Sequence, residues 1–251
     1  MNKAKIYLSV VIPAYKEAIN IKSGALEEVW KFLSKQKYSW EVLVVDDGSP
    51  DNTVKLAQSF SDRHKGFRVL KEIHRGKGGT VIAGMLAAKG EIVLFADMDQ
   101  ATPIDQVGKI FPKFSEGYDG VIGSRSGRKG ASIVRKVMAL GFAILRTIIL
   151  GLPYKDTQCG FKAFNRSAAK KVFSKMKIFS ENNQVKGAAV TAGFDLEMLY
   201  IARKLGLKIA EVDVYWEDRG ERNEVNPIKD SWEGLRDLIK VRINSVKGVY
   251  K

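Results

Sequence analysis

Cysteine is almost absent from this sequence of 251 residues, in which Cys159 stands alone. No disulfide can form within such a chain, which suits a reducing compartment such as the cytoplasm. The first residues lack the basic, apolar and small-residue segments of a secretory signal peptide. No apolar run reaches the roughly 18–20 residues of a transmembrane helix, and the nearest, residues 137–152, is interrupted by Arg146. We therefore expect a cytoplasmic protein that, if it works at a membrane, lies on it rather than across it.

Acidic residues are too few to balance the basic ones. The chain has 42 lysines and arginines against 28 aspartates and glutamates, a formal net charge of +14 at pH 7. This excess predicts an anionic partner, which leaves open a nucleic acid, an acidic membrane surface or phosphorylated ligands. Hydrophobic residues make up 45% of the chain, enough for one sizeable core.

Short apolar runs alternate with amphipathic segments along the first half of the chain. The predicted strands are 7–12, 42–45, 67–73, 91–96 and 120–122, and the predicted helices are 17–36, 53–63, 79–88 and 103–114. The less regular second half contains predicted helices at 131–150, 193–205 and 231–246 and a strand at 207–214. This alternation predicts an α/β fold, a mostly parallel sheet with helices on both faces. Such sheets bind ligands at the carboxyl ends of their strands.

A pair of acids follows one of the predicted buried strands. Asp97 and Asp99 flank Met98, so both carboxylates can approach one hard cation. Mg2+ takes such oxygen ligands, and a metal held there would bridge a diphosphate. Two solvated acids in a loop are the alternative interpretation.

A second acidic turn, Asp46 and Asp47 followed by Gly48 and Ser49, ends another strand. One of its carboxylates can accept hydrogen bonds from a base or ribose, although these residue types also make ordinary turns. The first strand ends in a stretch that offers a flat pocket and an acceptor, or simply a helix start: Pro13, Ala14, Tyr15 and Glu17.

Two basic segments are candidates for phosphate binding. Lys77 lies among glycines before a predicted helix, where backbone amides suit phosphate, although a flexible turn explains the glycines equally well. A run of basic residues without an acid consists of Arg125, Arg128, Lys129, Arg135 and Lys136. This run precedes the apolar stripe of the helix at 131–150, and such a combination is typical of an interfacial helix or of a basic loop before a core helix. His64 and His74 have no metal-ligand spacing and are interpreted as structural.

Six stretches occur in an informative order: residues 10–17, 44–53, 75–79, 97–99, 123–125 and 156–162. Their sequences are VVIPAYKE, VVDDGSPDNT, RGKGG, DMD, GSR and DTQCGFK. The series resembles family 2 glycosyltransferases of the dolichyl-phosphate glucose and mannose synthase branch, and DTQCGFK leans toward the glucose synthases. The resemblance covers residues 6 to about 215.

This resemblance implies a GT-A fold, a nucleotide-sugar donor, Mg2+ or Mn2+, and inversion at the anomeric carbon. It places the metal on Asp97 and Asp99, and it matches Arg125 and Arg135 to basic residues near the transferred and acceptor phosphates. Asp156 matches a further acid of the site. The residues expected to bind the nucleotide-sugar are Pro13, Ala14, Tyr15, Glu17, Asp46, Asp47, Lys77 and Met98. The catalytic domain would span residues 1–215, with a linker and an amphipathic helix at 216–251.

The expected reaction moves a hexose, with UDP-glucose favoured, onto polyprenyl or dolichyl phosphate at the inner face of an anionic membrane. GDP-mannose, UDP-N-acetylglucosamine or a soluble glycan acceptor are alternatives, and a basic nucleic-acid binder is the non-enzymatic one. Paired acids would repel a nucleic acid, so no nucleic-acid partner is expected. Two departures from the family stand out. Ala101 occupies the position where mannose synthases often carry a metal-binding glutamine, with Gln100 one place early, and two C-terminal transmembrane helices of many relatives are missing.

Overall fold

The computed structural model describes residues 5–125, 133–178, 193–219 and 227–250, with side chains described outside 133–139 and 227–231. Its elements follow one another as β1 (Leu8–Ala14), α1 (Ala18–Lys22), α2 (Ala25–Leu33), β2 (Trp40–Asp46), α3 (Thr53–Arg63), β3 (Phe67–Lys71), α4 (Gly76–Ala87), β4 (Ile92–Ala96), a 3-10 helix (Ile104–Lys109), α5 (Phe111–Ser115), β5 (Gly120–Ser124), α6 (Ile133–Leu150), β6 (Phe161–Asn165), α7 (Arg166–Phe173), α8 (Gly193–Lys204), β7 (Ile209–Asp213) and α9 (Pro227–Val246).

The strands form one seven-stranded sheet in the order β3-β2-β1-β4-β6-β5-β7. Four of its pairings are parallel, and β6 runs antiparallel to both β4 and β5. The central strands are buried along their whole length because helices cover both faces. The predicted α/β class and mostly parallel sheet are therefore confirmed.

Two hydrophobic cores lie on the two faces of the sheet. One packs α4, α7 and α8 against residues such as Val11, Phe95 and Phe164, and the other packs α2 and α3 against residues such as Ile12 and Leu94. Helix α4 approaches β1 closely because Gly84 faces Val11, and a Cβ there would overlap that side chain. This packing fixes the start of α4 near the ends of β1 and β2.

Several predicted element bounds are wrong in an instructive way. The single helix predicted at 17–36 is two helices, because Gly24 adopts a left-handed backbone with φ of 98° between them. Helix α4 begins at Gly76 rather than after the glycines, so Lys77 lies in its first turn. The helix predicted at 103–114 is a 3-10 helix followed by α5. Strand β6 and helix α7 were not predicted.

Helices α6 and α9 pack against each other, with the ring of Phe142 over Gly234. Over the described side chains, 140–150 in α6 and 232–246 in α9, each helix has a buried face and an exposed apolar face. This part of each predicted stripe is therefore divided between the core and solvent, and the stripe residues Ile133, Val134, Val137 and Met138 lie outside the described side chains. In α9, Leu238 and Val241 are buried, while Trp232, Ile239 and Ile243 are exposed. Within the described ranges, no helix is both long enough and apolar enough to span a bilayer.

Candidate active site

Four strands, β1, β2, β4 and β6, each have one end at the same end of the sheet, which we call the site edge. Strand β1 pairs with β2 on one side and β4 on the other, so the chain order reverses at this point and opens a crevice beyond the strand ends. Because β6 is antiparallel, it begins where β4 ends, with Phe161 beside Ala96. The loop that precedes β6 therefore reaches the same edge as the acidic turns.

Asp47 is buried and held on both carboxylate oxygens. The backbone amide of Arg75 donates to its Oδ1 at 2.8 Å, and the Nδ1–H of His74 donates to its Oδ2 at 2.8 Å. The ring of His74 also stacks on Tyr15, with centroids 4.2 Å apart and an angle of 8°. His74, interpreted as structural from the sequence, thus joins two of the expected nucleotide-binding residues. The contact between His74 and Asp47 could not be predicted from a local sequence pattern, because the two residues are 27 positions apart.

The turn after β2 is tied to the end of β1. Asp46 is 2% exposed, and its Oδ2 accepts from the amide of Ser49 at 3.0 Å, while its buried Oδ1 has no hydrogen-bond partner. The amide of Glu17 donates to Thr53 Oγ1 at 2.8 Å. Burial raises the pKa of Glu17, and the charges of Asp99 and Asp97 add to this effect although Asn20 opposes it. Glu17 therefore lies close enough to Asp97 and Asp99 for their charges to act on it. Pro13 and Ala14 are themselves buried strand residues.

Asp97 lies at the end of β4 with its carboxylate partly exposed. The ammonium of Lys77 donates to Asp97 Oδ1 at 2.5 Å. Gly160 passes directly against the same carboxylate, since a Cβ at this position would overlap Asp97 Oδ2. Asp99 is half-buried and accepts at Oδ1 from the amide of Ala101 at 3.0 Å. The two acids thus share the edge with a lysine that was predicted to bind phosphate.

The residues between and after these acids face inward. Met98 is 2% exposed and packs in the core, as does Ala101. Gln100 adopts φ of 51°, and its amide Nε2 donates to the carbonyl of Asp97 at 2.8 Å. Its Oε1 is buried without a hydrogen-bond partner. The amide therefore supports the turn that carries the acids.

The residues at this edge fit a divalent cation in their chemistry. Asp97 and Asp99 offer hard oxygen ligands at a strand end, and a cationic group, the ammonium of Lys77, already contacts one of them. Within residues 5–125, 133–178, 193–219 and 227–250, no three His, Cys, Asp or Glu side chains are grouped to form a complete metal site. Further ligands would come from a bound diphosphate or water, as is usual for Mg2+.

Arg125 and Asp156 form a two-point ion pair across the site. Arg125 Nε and Nη2 donate to the two carboxylate oxygens at 2.6 and 2.9 Å. Burial alone would raise the pKa of Asp156, but the hydrogen bonds and charge of Arg125 lower it to about 2. The guanidinium also lies over the ring of Trp216, 6.0 Å from its centroid. Arg125, expected near the phosphates, is therefore paired with Asp156, the expected site acid, whereas Trp216 was not predicted.

A second buried pair lies behind the acids. Lys162 is fully buried, and its ammonium donates to Asp195 Oδ1 at 2.7 Å and to the carbonyl of Cys159. Its ammonium also lies 5.3 Å from the centroid of the Phe95 ring. Asp195 comes from the first turn of α8 and had no signal in the sequence, because its partner is 33 residues earlier.

The rest of the basic run cannot be placed in the same way. Arg128 and Lys129 lie outside the described residues, as do the side chains of Arg135 and Lys136, whose backbone belongs to α6. Arg146, which interrupts the apolar run, is 3% exposed and donates to the carbonyls of Leu152 and Tyr154 and to Thr157 Oγ1. It therefore supports the loop that carries Asp156 rather than the exposed face of α6.

Comparison with known proteins gives a consistent result. The model of the family described as Glycosyl transferase family 2 matches residues 9–173. A dolichyl-phosphate beta-glucosyltransferase of Dictyostelium discoideum is 34% identical over 264 residues, covering 98% of this chain and 77% of that protein. Its counterpart in Saccharomyces cerevisiae is 33% identical and covers 98% of this chain and 77% of its own length.

A solved structure shares the fold. Glucosyl-3-phosphoglycerate synthase from Mycobacterium tuberculosis, in complex with Mn2+, UDP-glucose and phosphoglyceric acid, has a TM-score of 0.67 at 22% identity, covering 96% of this chain and 81% of that chain. This likeness confirms the predicted glycosyltransferase fold, and the sequence similarity confirms the predicted family.

Proposed function

The chain belongs to glycosyltransferase family 2, and from that premise we propose that it transfers glucose from UDP-glucose to dolichyl phosphate with inversion at the anomeric carbon. The observation that carries this proposal is similarity over almost the whole chain to proteins named dolichyl-phosphate beta-glucosyltransferase. The paired acids and the Arg125–Asp156 pair at one sheet edge support the same reaction.

The nucleotide occupies the side of the crevice formed by β1 and β2. Tyr15, stacked on His74, offers an aromatic face to the base, and the hydrogen bonds to Asp47 hold that pair in place. Glu17 and the turn at Asp46 line the ribose side. Pro13, Ala14 and Met98 shape this region through the backbone, since their side chains are buried.

Asp97 and Asp99 would hold Mg2+ or Mn2+, which supplies charge stabilisation to the leaving diphosphate when bound. The ammonium of Lys77, which contacts Asp97, would bind an oxygen of the same diphosphate. The glycosidic C1–O bond of the donor breaks as a dolichyl phosphate oxygen forms the new bond from the opposite face. The diphosphate leaves with the electron pair, so the configuration inverts.

Arg125 orients the incoming phosphate, with Asp156 fixing the guanidinium and Arg135 adding a second charge. A phosphate monoester is already anionic near neutral pH, since its second pKa is about 6. It therefore needs no strong general base, and the protein contributes position and charge. Trp216 closes this side of the site beside Arg125.

The lipid acceptor implies that the enzyme lies on a membrane, and we assign this contact to α6 and α9. Their exposed apolar side chains are Leu140, Ile144, Leu145 and Ile148 on α6 and Trp232, Ile239, Ile243 and Val246 on α9. Exposed basic residues lie among those of α9, at Arg236 and Lys240, and directly after the helix, at Lys247. Apolar and basic side chains on one surface match an anionic bilayer, with the protein peripheral to its cytoplasmic face.

The direct test is a panel of UDP-glucose, UDP-N-acetylglucosamine and GDP-mannose with dolichyl phosphate and Mg2+ or Mn2+, in which the lipid-linked sugar is measured. We expect glucose transfer from UDP-glucose, and none when the cation is chelated. Transfer to 3-phosphoglycerate or another soluble acceptor, with no lipid-linked product, would refute the acceptor assignment.

A further inference from the structure

Two lysines and two aspartates are grouped where β4 ends: Lys77, Asp97, Lys162 and Asp195. Lys77 contacts Asp97 at 2.5 Å, and Lys162 contacts Asp195 at 2.7 Å. The two pairs differ in their surroundings, since Lys162 is completely buried whereas the Lys77 side chain is 25% exposed. The inner pair is therefore fixed, while the outer lysine lies at the border of the crevice.

The two pairs also act on each other. Burial alone would lower the pKa of Lys77, but the charge of Asp97 and its hydrogen bond raise it, with smaller effects from Asp195 and Asp99. Lys77 therefore stays protonated, and it is attracted by acids on both sides. Asp195 attracts the ammonium of Lys77 less than Asp97 does, because the charge of Asp195 is already neutralised by Lys162.

A divalent cation on Asp97 and Asp99 changes this balance. The ammonium contacts the Asp97 oxygen that such a cation would share, and two like-charged groups at this distance repel each other strongly. Asp195 cannot take over the ammonium fully, since it is already paired. The anion that remains in reach is the diphosphate of the donor, which enters the same crevice.

We propose that Lys77 is an internal counter-cation, which holds Asp97 until a divalent cation binds and then moves to the donor diphosphate. The Lys162–Asp195 pair acts as a positioning pair that keeps Lys77 close in both states. The inference rests on the proposed function insofar as the donor carries a diphosphate and the cation uses Asp97 and Asp99. It makes cation and nucleotide binding cooperative, because each ligand removes a penalty that the other would face alone.

The test measures Mn2+ binding to the full chain by electron paramagnetic resonance, with and without UDP. Without UDP, Lys77→Met is expected to bind Mn2+ about tenfold more tightly than the wild type, because the competing ammonium is gone. The factor by which UDP tightens Mn2+ binding is expected to fall about tenfold in the same variant. Lys77→Gln, which is also uncharged, serves as a second variant with the same expected signs.

Lys113→Met is the matched control, because it removes one lysine that forms an ion pair with Glu116 on the surface. It is expected to bind Mn2+ and UDP like the wild type. Equal or weaker Mn2+ binding by folded Lys77 variants without UDP would overturn the inference. This readout needs no acceptor, so failure of glucose transfer to dolichyl phosphate would leave it standing, and its own failure would leave the transferase assignment untouched.

Discussion

Individual charged side chains at the sheet edge are held by partners from distant parts of the chain. Asp47 is fixed by His74 and Arg75, and Arg125 by Asp156. Asp97 is in turn paired with Lys77, and both Asp97 and Asp99 stay partly exposed where β4 ends. A reaction that depends on placing charges correctly is expected to be most sensitive at these two positions.

Replacement of Asp97 or Asp99 by Asn is expected to lower glucose transfer at least about hundredfold, because charge stabilisation of the leaving diphosphate is lost. Circular dichroism and the melting temperature should stay close to those of the wild type. Asp62→Asn, which changes an exposed acid on α3, is the matched control. Normal turnover in either site variant would remove the carboxylates from the mechanism.

Asp156 makes a prediction about stability and pH. Its pKa is lowered from 3.8 to about 2 in the folded protein, so its ionised form favours folding. Asp156→Asn is expected to lower the free energy of unfolding by about 2 kcal/mol at pH 7. Because the folded pKa is depressed, this contribution is fully present well above pH 4 and is lost as pH falls toward 2.

Denaturant unfolding of the two proteins between pH 5 and 8 provides the measurement, and the difference should be constant across that range. A difference that grows or shrinks there would mean that another group titrates with this pair. Asp105→Asn, at a surface acid on the 3-10 helix, controls for the loss of a charge.

The sequence predicted several of the acids and bases that lie at these strand ends, but it did not predict how they pair. Asp97 and Asp99 were recognisable because two acids follow a buried strand. His74 and Asp195 were not, because their partners are 27 and 33 residues away and become neighbours only through the order of the strands. Their chemistry depends on contacts that a linear pattern does not contain.

At the scale of elements, local rules predicted α3 with its correct ends but failed wherever tertiary contacts decided the outcome. The break between α1 and α2 depends on the left-handed backbone of Gly24. The helical pattern of residues 17–36 did not reveal this break. Strand β6 carries Lys162 at its second position, where the ion pair with Asp195 and the hydrogen bond to the carbonyl of Cys159 accommodate a buried lysine.

The exposed apolar face of α6 and α9 gives a prediction at this scale. Ile148→Ser is expected to weaken binding to anionic vesicles about fivefold to tenfold, because one isoleucine no longer leaves water. Its affinity for UDP should not change. Ile19→Ser is the matched control, since Ile19 is 69% exposed and Ile148 75% exposed, but Ile19 lies on α1.

Vesicle flotation gives the fraction bound for each variant. Equal losses of vesicle binding in both variants would indicate a general surface effect. Unchanged vesicle binding by Ile148→Ser would show that α6 does not contact the membrane. The same assay on Trp232→Ser would examine α9 independently.

At the scale of the whole molecule, the net charge of +14 exceeds what the site can use. Site bases such as Lys77 and Arg125 are paired with acids, so much of the excess lies on the surface. A surface excess attracts an anionic bilayer over a distance set by the ionic strength, with a Debye length of about 10 Å at 0.1 M salt. In the proposed function, we expect this charge to bring the enzyme to its lipid substrate rather than to promote the chemistry.

Raising the salt concentration from about 0.05 to 0.5 M is expected to weaken binding to anionic vesicles more than about tenfold. Transfer to dolichyl phosphate in neutral detergent micelles should change far less, because the site pairs are partly or fully buried. Flotation and the micelle assay, run across the same salt series, provide the measurement. Equal salt sensitivity in the two assays would contradict a purely attractive role for the surface charge.

Gly160 lies directly against Asp97, at the point where β4 ends and β6 begins. Since any side chain there would displace the acid, we expect a substitution at this position to disturb the proposed cation site on Asp97 and Asp99. Lineages that diversify this scaffold are therefore expected to inherit this glycine unaltered.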